Sequence, residues 1–136
     1  MTRETRHVSM RIERPAAEIY AFCVQPANLP RWAAGLGGSI ASVDGRWIAQ
    51  SPMGAVEVQF APGNDFGVLD HRVTLEDGQT FDNPMRVIPD GDAAADVVFT
   101  LRWADGTAAE AFEADAAAVE ADLRTLKRLL ESDGAA

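Results

Sequence analysis

The sequence predicts an α+β fold in which a curved antiparallel sheet of six or seven strands wraps around one long C-terminal helix. Two observations carry this prediction. Short apolar segments with period-2 alternation follow one another closely between residues 39 and 103, and this spacing leaves no room for the crossovers that parallel strands need. A single long amphipathic segment starts near residue 107, and such a helix and sheet bury their apolar faces against each other.

Length and charge limit the classes of protein to which this chain can belong. Its 136 residues fit one domain, residues 1–136, with a core of its own. The net charge of −9 disfavours nucleic acid as a partner, because phosphate binding needs clustered Lys and Arg. We expect a cytoplasmic protein, since the sequence has neither a signal-peptide pattern nor a stretch long enough for membrane insertion. We also expect a monomer or a weak homodimer.

The cysteine and histidine content argues against a disulfide and against a metal site. Cys23 is alone, and it lies in an apolar run where a free thiol is usually a small buried hydrophobe. His7 and His71 are the two histidines, and neither belongs to a metal-ligand pattern. The glycine-rich residues 35–39 follow a helical segment and precede a strand, the reverse of a phosphate-binding loop, so we interpret them as a hinge. We therefore predict no metal and no cofactor.

The first quarter of the chain combines one strand with two short helices. Alternation over residues 8–12 predicts the first strand, and Pro15 suits the first turn of a helix over residues 15–24. Pro26 then starts a second short helical segment, residues 26–34.

The remaining strands follow from alternation and from the turn residues between them. Gly45, Gly54 and the segments 62–65 and 90–94 separate the alternating stretches. On this basis we predict strands over residues 39–44, 46–52, 55–61, 67–75, 80–89 and 95–103. Their inward positions are predicted to be Val56, Val58, Phe60, Leu69, Val73, Met85, Val87, Val97, Phe99, Leu101 and Trp103.

The C-terminal helix has the clearest pattern. Thr107 and Glu110 have the spacing of a capping box, and apolar residues then recur at steps of three and four. Acidic residues lie early and basic residues late, which matches the helix dipole, and Gly134 is a suitable stop. The apolar stripe consists of Phe112, Ala116, Val119, Leu123, Leu126 and Leu130.

The stripe is bulky towards the end of the helix and small towards its start. Four alanines, Ala114 and Ala116 to Ala118, fall in the first half. One interpretation is that a gap lies between the sheet and this alanine half. The alternative is that the alanines let the helix approach the sheet more closely and leave no void, and the pattern alone does not separate the two.

Residues 12–36, IERPAAEIYAFCVQPANLPRWAAGL, resemble the opening of SRPBCC domains. These form the START-like helix-grip superfamily, which includes polyketide cyclase/dehydrase and lipid-transfer proteins. The shared pattern is a strand, a proline, a helix with the pair Ile19 and Tyr20, and then Pro26 and Trp32. The segments SPMG, GVLDHRV, NPMRV and VVFTLRW are similar to a bacterial subgroup of the same superfamily.

The resemblance covers residues 5–131 and carries expectations about the fold. It implies an antiparallel sheet wrapped around the C-terminal helix, with a hydrophobic cavity between them, and so favours the gap over close approach. One departure is Gln25, where the family often has Asp. The loss of this N-cap predicts a frayed second helix.

Two polar residues remain on the predicted inward face, and they are the candidate anchors of a ligand. His71 alternates with Leu69 and Val73, and Asn83 lies two positions before Met85. Each is either a core polar group bonded to backbone or water, or one of the convergent polar groups of an apolar pocket. For a pocket, we predict ligand contacts from His71, Asn83, Trp32, Tyr20, Met85, Phe99, Trp103, Phe112 and Ala116.

Three hypotheses about function remain open at this stage. The favoured one is a binding or carrier protein for a small hydrophobic molecule, such as a lipid, an isoprenoid or a polyketide-like compound. The second is a polyketide cyclase/dehydratase-like enzyme with His71 as general base and Asn83 as oxyanion donor, although no carboxylate is placed to orient His71. The third is an interaction module without a functional cavity, which contacts partners through a sheet edge or the loops near Trp32.

Overall fold

A computed structural model describes residues 4–36 and 39–133 of the chain. These residues form eight strands and three α-helices, and two 3-10 turns, Pro26–Asn28 and Ala34–Leu36, flank α2. Gly37 and Gly38, at the centre of the predicted hinge, lie outside the described residues. The bounds are β1 Thr5–Ile12, α1 Ala16–Cys23, α2 Leu29–Trp32, β2 Ser39–Val43, β3 Arg46–Ser51, β4 Gly54–Phe60, β5 His71–Thr74, β6 Thr80–Asn83, β7 Met85–Asp90, β8 Ala94–Arg102 and α3 Ala109–Asp133.

The strands form two antiparallel ladders that are joined by one chain segment. One ladder has the order β2–β3–β4–β5–β6 and the other has the order β1–β8–β7. β6 and β7 are the two halves of a single predicted strand, which Pro84 interrupts because proline has no N–H to donate to a ladder. With α3 packed mainly against β1 and α2, this arrangement confirms the predicted α+β helix-grip architecture.

Backbone hydrogen bonds tie the two ladders together where the chain passes Pro84. Leu69 N–H donates to the Met85 carbonyl at 2.8 Å, and Val87 N–H donates to the Gly67 carbonyl at 2.9 Å. Gly67 has φ of +73°, and a Cβ at this position would collide with the Val87 carbonyl, so only glycine fits. The predicted fifth strand therefore pairs first with β7 and then, further along, with β6.

Beyond this junction the sheet splits. Thr100 N–H donates to the Pro84 carbonyl at 2.9 Å, and past that bond β6 and β8 belong to different ladders. Within the described residues, the end of β8 pairs with β1 alone, where Thr5 lies opposite Arg102. We call the opening between β6 and the end of β8 the seam.

Asp70 fixes the junction from the outer face of the sheet. Its carboxylate accepts hydrogen bonds from Arg86 Nε at 2.9 Å, from Arg86 Nη2 at 2.8 Å and from Met85 N–H at 2.9 Å. The bond from Arg86 is the main reason why the pKa of Asp70 lies below its usual value. The carboxylate next to His71 in the chain is therefore engaged by the clamp between the ladders.

The start of α3 is anchored by aromatic packing. The Phe112 ring stacks on Trp103 with centroids 4.9 Å apart, and the Arg6 guanidinium lies 4.9 Å from the Phe112 ring while bonding Glu113. The predicted capping box is wrong in position: the helix begins at Ala109, and its first carbonyl, that of Ala108, accepts from Phe112 N–H at 3.0 Å. Thr107 instead gives its backbone carbonyl to Trp103 Nε1 at 2.7 Å. The predicted stop at Gly134 lies outside the described residues.

The predicted gap beside the alanine half of α3 is wrong. Ala116 is buried on the apolar stripe, but Ala114, Ala117 and Ala118 are exposed. Successive helical residues turn by about 100°, so a run of alanines winds around the helix and cannot line one enclosed space.

The second helix is as short as the missing cap predicts. Gln25 makes no side-chain capping bond to the 3-10 turn that starts at Pro26, and α2 then lasts for one turn. Asp122 on α3 accepts a hydrogen bond from Ala34 N–H at 3.1 Å, just past the end of α2. The α2 segment thus rests on α3 through few hydrogen bonds of its own.

Candidate ligand-binding site

His71 starts β5 on the inner face of the sheet and is 8% exposed. It pairs across strands with Phe60 on one side and with Asn83 on the other. Its ring centroid lies 5.1 Å from that of Phe60 and 5.8 Å from that of Phe99. The imidazole is therefore set between two aromatic rings, as the predicted inward position requires.

Hydrogen bonding defines which nitrogen of His71 carries the proton. Nδ1 lies 3.0 Å from the Leu69 carbonyl oxygen, and because a carbonyl can only accept, Nδ1–H is the donor. Burial lowers the pKa of His71, and this outweighs the raising effects of the Leu69 bond and the Asp70 charge. The ring is accordingly neutral near pH 7, and its Nε2 lone pair has no partner among the described residues.

Asn83 ends β6 beside the seam and lies directly opposite His71. Side chains in such pairs are neighbours, with Cβ atoms about 5 Å apart. Its amide is half-buried and makes no hydrogen bond with other described residues. The inner face therefore presents a neutral acceptor next to an amide that can both donate and accept.

The inner face near this pair is open, whereas the rest is sealed. Val56, Val58 and Leu69 are at most 2% exposed. By contrast, the inward residues around the seam are partly exposed, and Phe81, two positions before Asn83, is 44% exposed. Those partly exposed around the seam are Phe60, Asn83, Phe99, Leu101 and Trp103.

The other predicted site residues divide into three groups. Met85 is fully buried and pairs with Phe99 across the β7–β8 ladder, so it underlies the aromatic face. Trp103 and Phe112 stack on each other and anchor α3, with Ala116 one turn further along. Tyr20 lies elsewhere, because its hydroxyl accepts from Asn64 N–H at 3.0 Å and holds the loop before the fifth strand. Trp32 is 5% exposed in α2, so it lies inside the core and not at its surface.

Two surface pockets are evident among residues 4–36 and 39–133, and neither lies on the inner face. One, of about 400 Å³, includes the exposed Gln59, Arg72 and Asp82, which strand alternation places on the outer face behind Phe60, His71 and Asn83. The other, of about 300 Å³, lies on α3 around Leu129. The Arg72–Asp82 ion pair occupies the first pocket, with Nε and Oδ1 2.7 Å apart, so the cleft at the seam is the better candidate site.

Phe60 is the site residue that the sequence prediction missed. Its inward direction was predicted, but its contact with His71 depends on the register of the β4–β5 pair. That register is set by the loop over residues 61–70, where Ala61 N–H donates to the Asp70 carbonyl. Alternation gives the face of a residue and not its partner.

The site and the architecture together define a class: the chain has the START-like, or SRPBCC, helix-grip fold. A START superfamily protein from Mycobacterium smegmatis superposes with a TM-score of 0.69 at 10% identity, covering 94% of this chain and 97% of that one. Norcoclaurine synthase from Thalictrum flavum, solved in complex with dopamine and hydroxybenzaldehyde, gives 0.64 at 13% identity, covering 95% and 87%. The di-domain ARO/CYC BexL from the BE-7585A biosynthetic pathway gives 0.67 at 17% identity, covering 95% of this chain and 47% of its own.

These likenesses establish the fold and leave the activity open. No protein-family model matches the chain, and no curated protein matches it either. One fold of this kind hosts many functions, so the function has to be argued from the site. Among the described residues, no helix has the length and apolarity needed to cross a bilayer.

Proposed function

We propose that this protein binds a small, mainly apolar molecule against the inner face of the sheet at the seam, with a hydroxyl group held by His71 and Asn83. One observation carries the proposal. Two neighbouring inward polar groups without partners among the described residues lie where the apolar inner face is still accessible. A few convergent polar groups in a mostly apolar surround are typical of small-molecule sites.

The protonation of His71 supports a hydroxyl as the group that is recognised. Because Nδ1–H is committed to Leu69, Nε2 offers an acceptor and calls for a donor on the ligand. A carboxylate head group suits the site less well, since the neutral ring would bring a lone pair against a negative charge. Asn83 supplies the complementary donor to the oxygen of the same hydroxyl.

Proteins of this fold support the general class of ligand. Norcoclaurine synthase is solved with dopamine and hydroxybenzaldehyde, which are small aromatic molecules with hydroxyl groups. The aromatic walls here, Phe60 and Phe99, suit a planar or polyketide-like molecule, and a lipid or isoprenoid alcohol meets the same requirements.

Catalysis by His71 is the second candidate, and the free Nε2 lone pair is the observation that favours it. A cyclase or dehydratase needs such a base, and Asn83 is placed to stabilise a developing oxyanion. However, Asp70 is bonded to Arg86, and the carbonyl of Leu69 is what orients the ring. Binding therefore fits the geometry better, because a carbonyl does not stabilise an imidazolium as a carboxylate does.

The proposal is tested with two probes, 2-naphthol and 2-methylnaphthalene, which differ in the hydroxyl alone. We expect His71→Phe to fold and to weaken 2-naphthol binding about fivefold, the scale of one hydrogen bond, while 2-methylnaphthalene binding is retained. Asn83→Leu should act in the same direction. The control is His7→Phe at the exposed histidine, which should change neither affinity.

Three measurements on His71→Phe separate the interpretations. Lower melting temperature with unchanged affinity would make His71 a core residue only. Loss of turnover of a cyclisable substrate with unchanged binding would make it a general base. Native mass spectrometry of protein purified from its own source identifies the ligand, and the absence of both probe binding and a co-purifying molecule would leave the interaction module as the surviving hypothesis.

A further inference from the structure

Trp32 carries an unpaired polar group inside the core. Its side chain is 5% exposed, and its Nε1 is the one buried side-chain nitrogen or oxygen of the described residues without a hydrogen-bond partner. Trp103 shows the usual outcome in the same chain, because its Nε1 donates to the Thr107 carbonyl at 2.7 Å. A buried indole N–H normally finds such an acceptor, so the exception at Trp32 needs a cause.

The surroundings of Trp32 are apolar. It belongs to the same buried cluster as Val58, Val73 and Leu123, which joins α2, the inner face of the sheet and α3. The nearest acidic residue along the α2–α3 contact, Asp122, already accepts from Ala34 N–H. A buried water makes two to four hydrogen bonds, and in this cluster it would find one unpaired side-chain group. An acceptor atom on an otherwise apolar molecule fits the place better than a water does.

We propose that Trp32 Nε1–H donates a hydrogen bond to an acceptor oxygen of the molecule bound on the inner face. This inference rests on the proposed function and narrows it, because the ligand then carries a carbonyl, ether or hydroxyl oxygen on an apolar body that reaches α2. The one-turn helix α2 can adjust to such a molecule at small cost, since Gln25 provides no side-chain cap at the start of its segment. In the unliganded protein the donor stays unpaired.

The test uses 1-acetylnaphthalene and 1-ethylnaphthalene, which have the same shape and differ by the carbonyl. Nitrogen–proton correlation spectra of the protein contain one side-chain signal per tryptophan, and Trp32→Phe assigns the signal of Trp32. With the ketone, the Trp32 Nε1–H signal should move downfield in a saturable way, while that of Trp103 stays in place. With the hydrocarbon, it should not move downfield.

Affinities provide the second part of the test. Trp32→Phe keeps a ring and removes the donor, so its affinity for the ketone should fall about fivefold while its affinity for the hydrocarbon stays within about twofold. Thermal unfolding of the unliganded variant should be unchanged or improved, because no hydrogen bond is lost. The matched control, Trp103→Phe, should unfold at lower temperature because it leaves the Thr107 carbonyl without its donor.

The outcomes distinguish this inference from the function on which it rests. If neither probe binds the wild-type protein, the proposed function fails and the role of Trp32 fails with it. If both probes bind but the Trp32 signal does not respond to the ketone, the role of Trp32 is overturned and the function stands. Transfer of magnetisation from water to Trp32 Nε1–H that persists with the ketone bound would also overturn it. The wild-type signal decides the matter even if Trp32→Phe fails to fold.

Discussion

At the scale of single residues, burial controls the chemistry of this protein more than charge does. His71 and Cys23 are both ionisable, both are inside, and the pKa of each is moved towards the neutral form. Asp70 shows the opposite case, since a partly exposed carboxylate with an arginine partner has its pKa lowered. These three residues make predictions that need no knowledge of the ligand.

Stability should fall with decreasing pH because of His71. The unfolded chain protonates this histidine near its ordinary pKa of about 6.5, whereas the folded chain does so at a lower pH. Between the two values the unfolded state binds more protons, so the free energy of unfolding rises with pH, by at most about 1.4 kcal/mol per unit, and levels off above about 6.5. Urea titrations from pH 5 to 8 measure this slope.

The slope should disappear in His71→Phe. The control is the same substitution at exposed His7, which leaves His71 in place. A slope that survives in His71→Phe would assign the pH dependence to other groups. The acids with lowered pKa, such as Asp70, act only nearer pH 4, where their unfolded forms protonate.

Cys23 should be inert in the folded protein. It is fully buried, and burial raises the pKa of its thiol to about 12. Because the thiolate is the nucleophile, iodoacetamide at pH 8 should alkylate Cys23 only as fast as the protein unfolds, and rapidly in denaturant. Mass spectrometry of the intact protein measures both rates, and fast labelling of the native protein would contradict the buried assignment.

At the scale of elements, periodicity predicted which residues face inward but not how the elements meet. The strands and the stripe of α3 follow alternation and helical spacing, so Val56, Val58 and Leu123 are buried as predicted. The interruption at Pro84 and the seam depend on which strands pair, and no local pattern encodes this. The alanine run misled because composition was taken for one face of a helix.

Substitutions in the alanine half of α3 should reveal its true orientation. Ala116 is 8% exposed on the stripe, so Ala116→Phe should overpack the contact with the sheet and lower the free energy of unfolding by about 1–3 kcal/mol. Ala117→Phe, one residue further on and exposed, should change it by about 0.5 kcal/mol or less. Equal stability of Ala116→Phe and the wild type would show that space exists at that position after all.

At the scale of the whole molecule, the fold was predictable and the site only in part. The resemblance over residues 12–36 and the order of strands and helices specify the helix-grip architecture. The sequence also gave His71 and Asn83 as inward polar residues, while their cross-strand pairing and their position at the seam required the structure. The unpaired N–H of Trp32 had no sequence signal, because hydrogen-bond satisfaction depends on every neighbour at once.

The most direct test of the central claim is a titration of the isotope-labelled protein with 2-naphthol, followed by amide chemical shifts. The account predicts saturable changes at Phe60, His71, Asn83 and Phe99, on the inner face at the seam. It predicts little change at the outer-face pocket around Arg72 or at the α3 pocket around Leu129. Changes confined to those two pockets, or no saturation at all, would contradict ligand binding on the inner face.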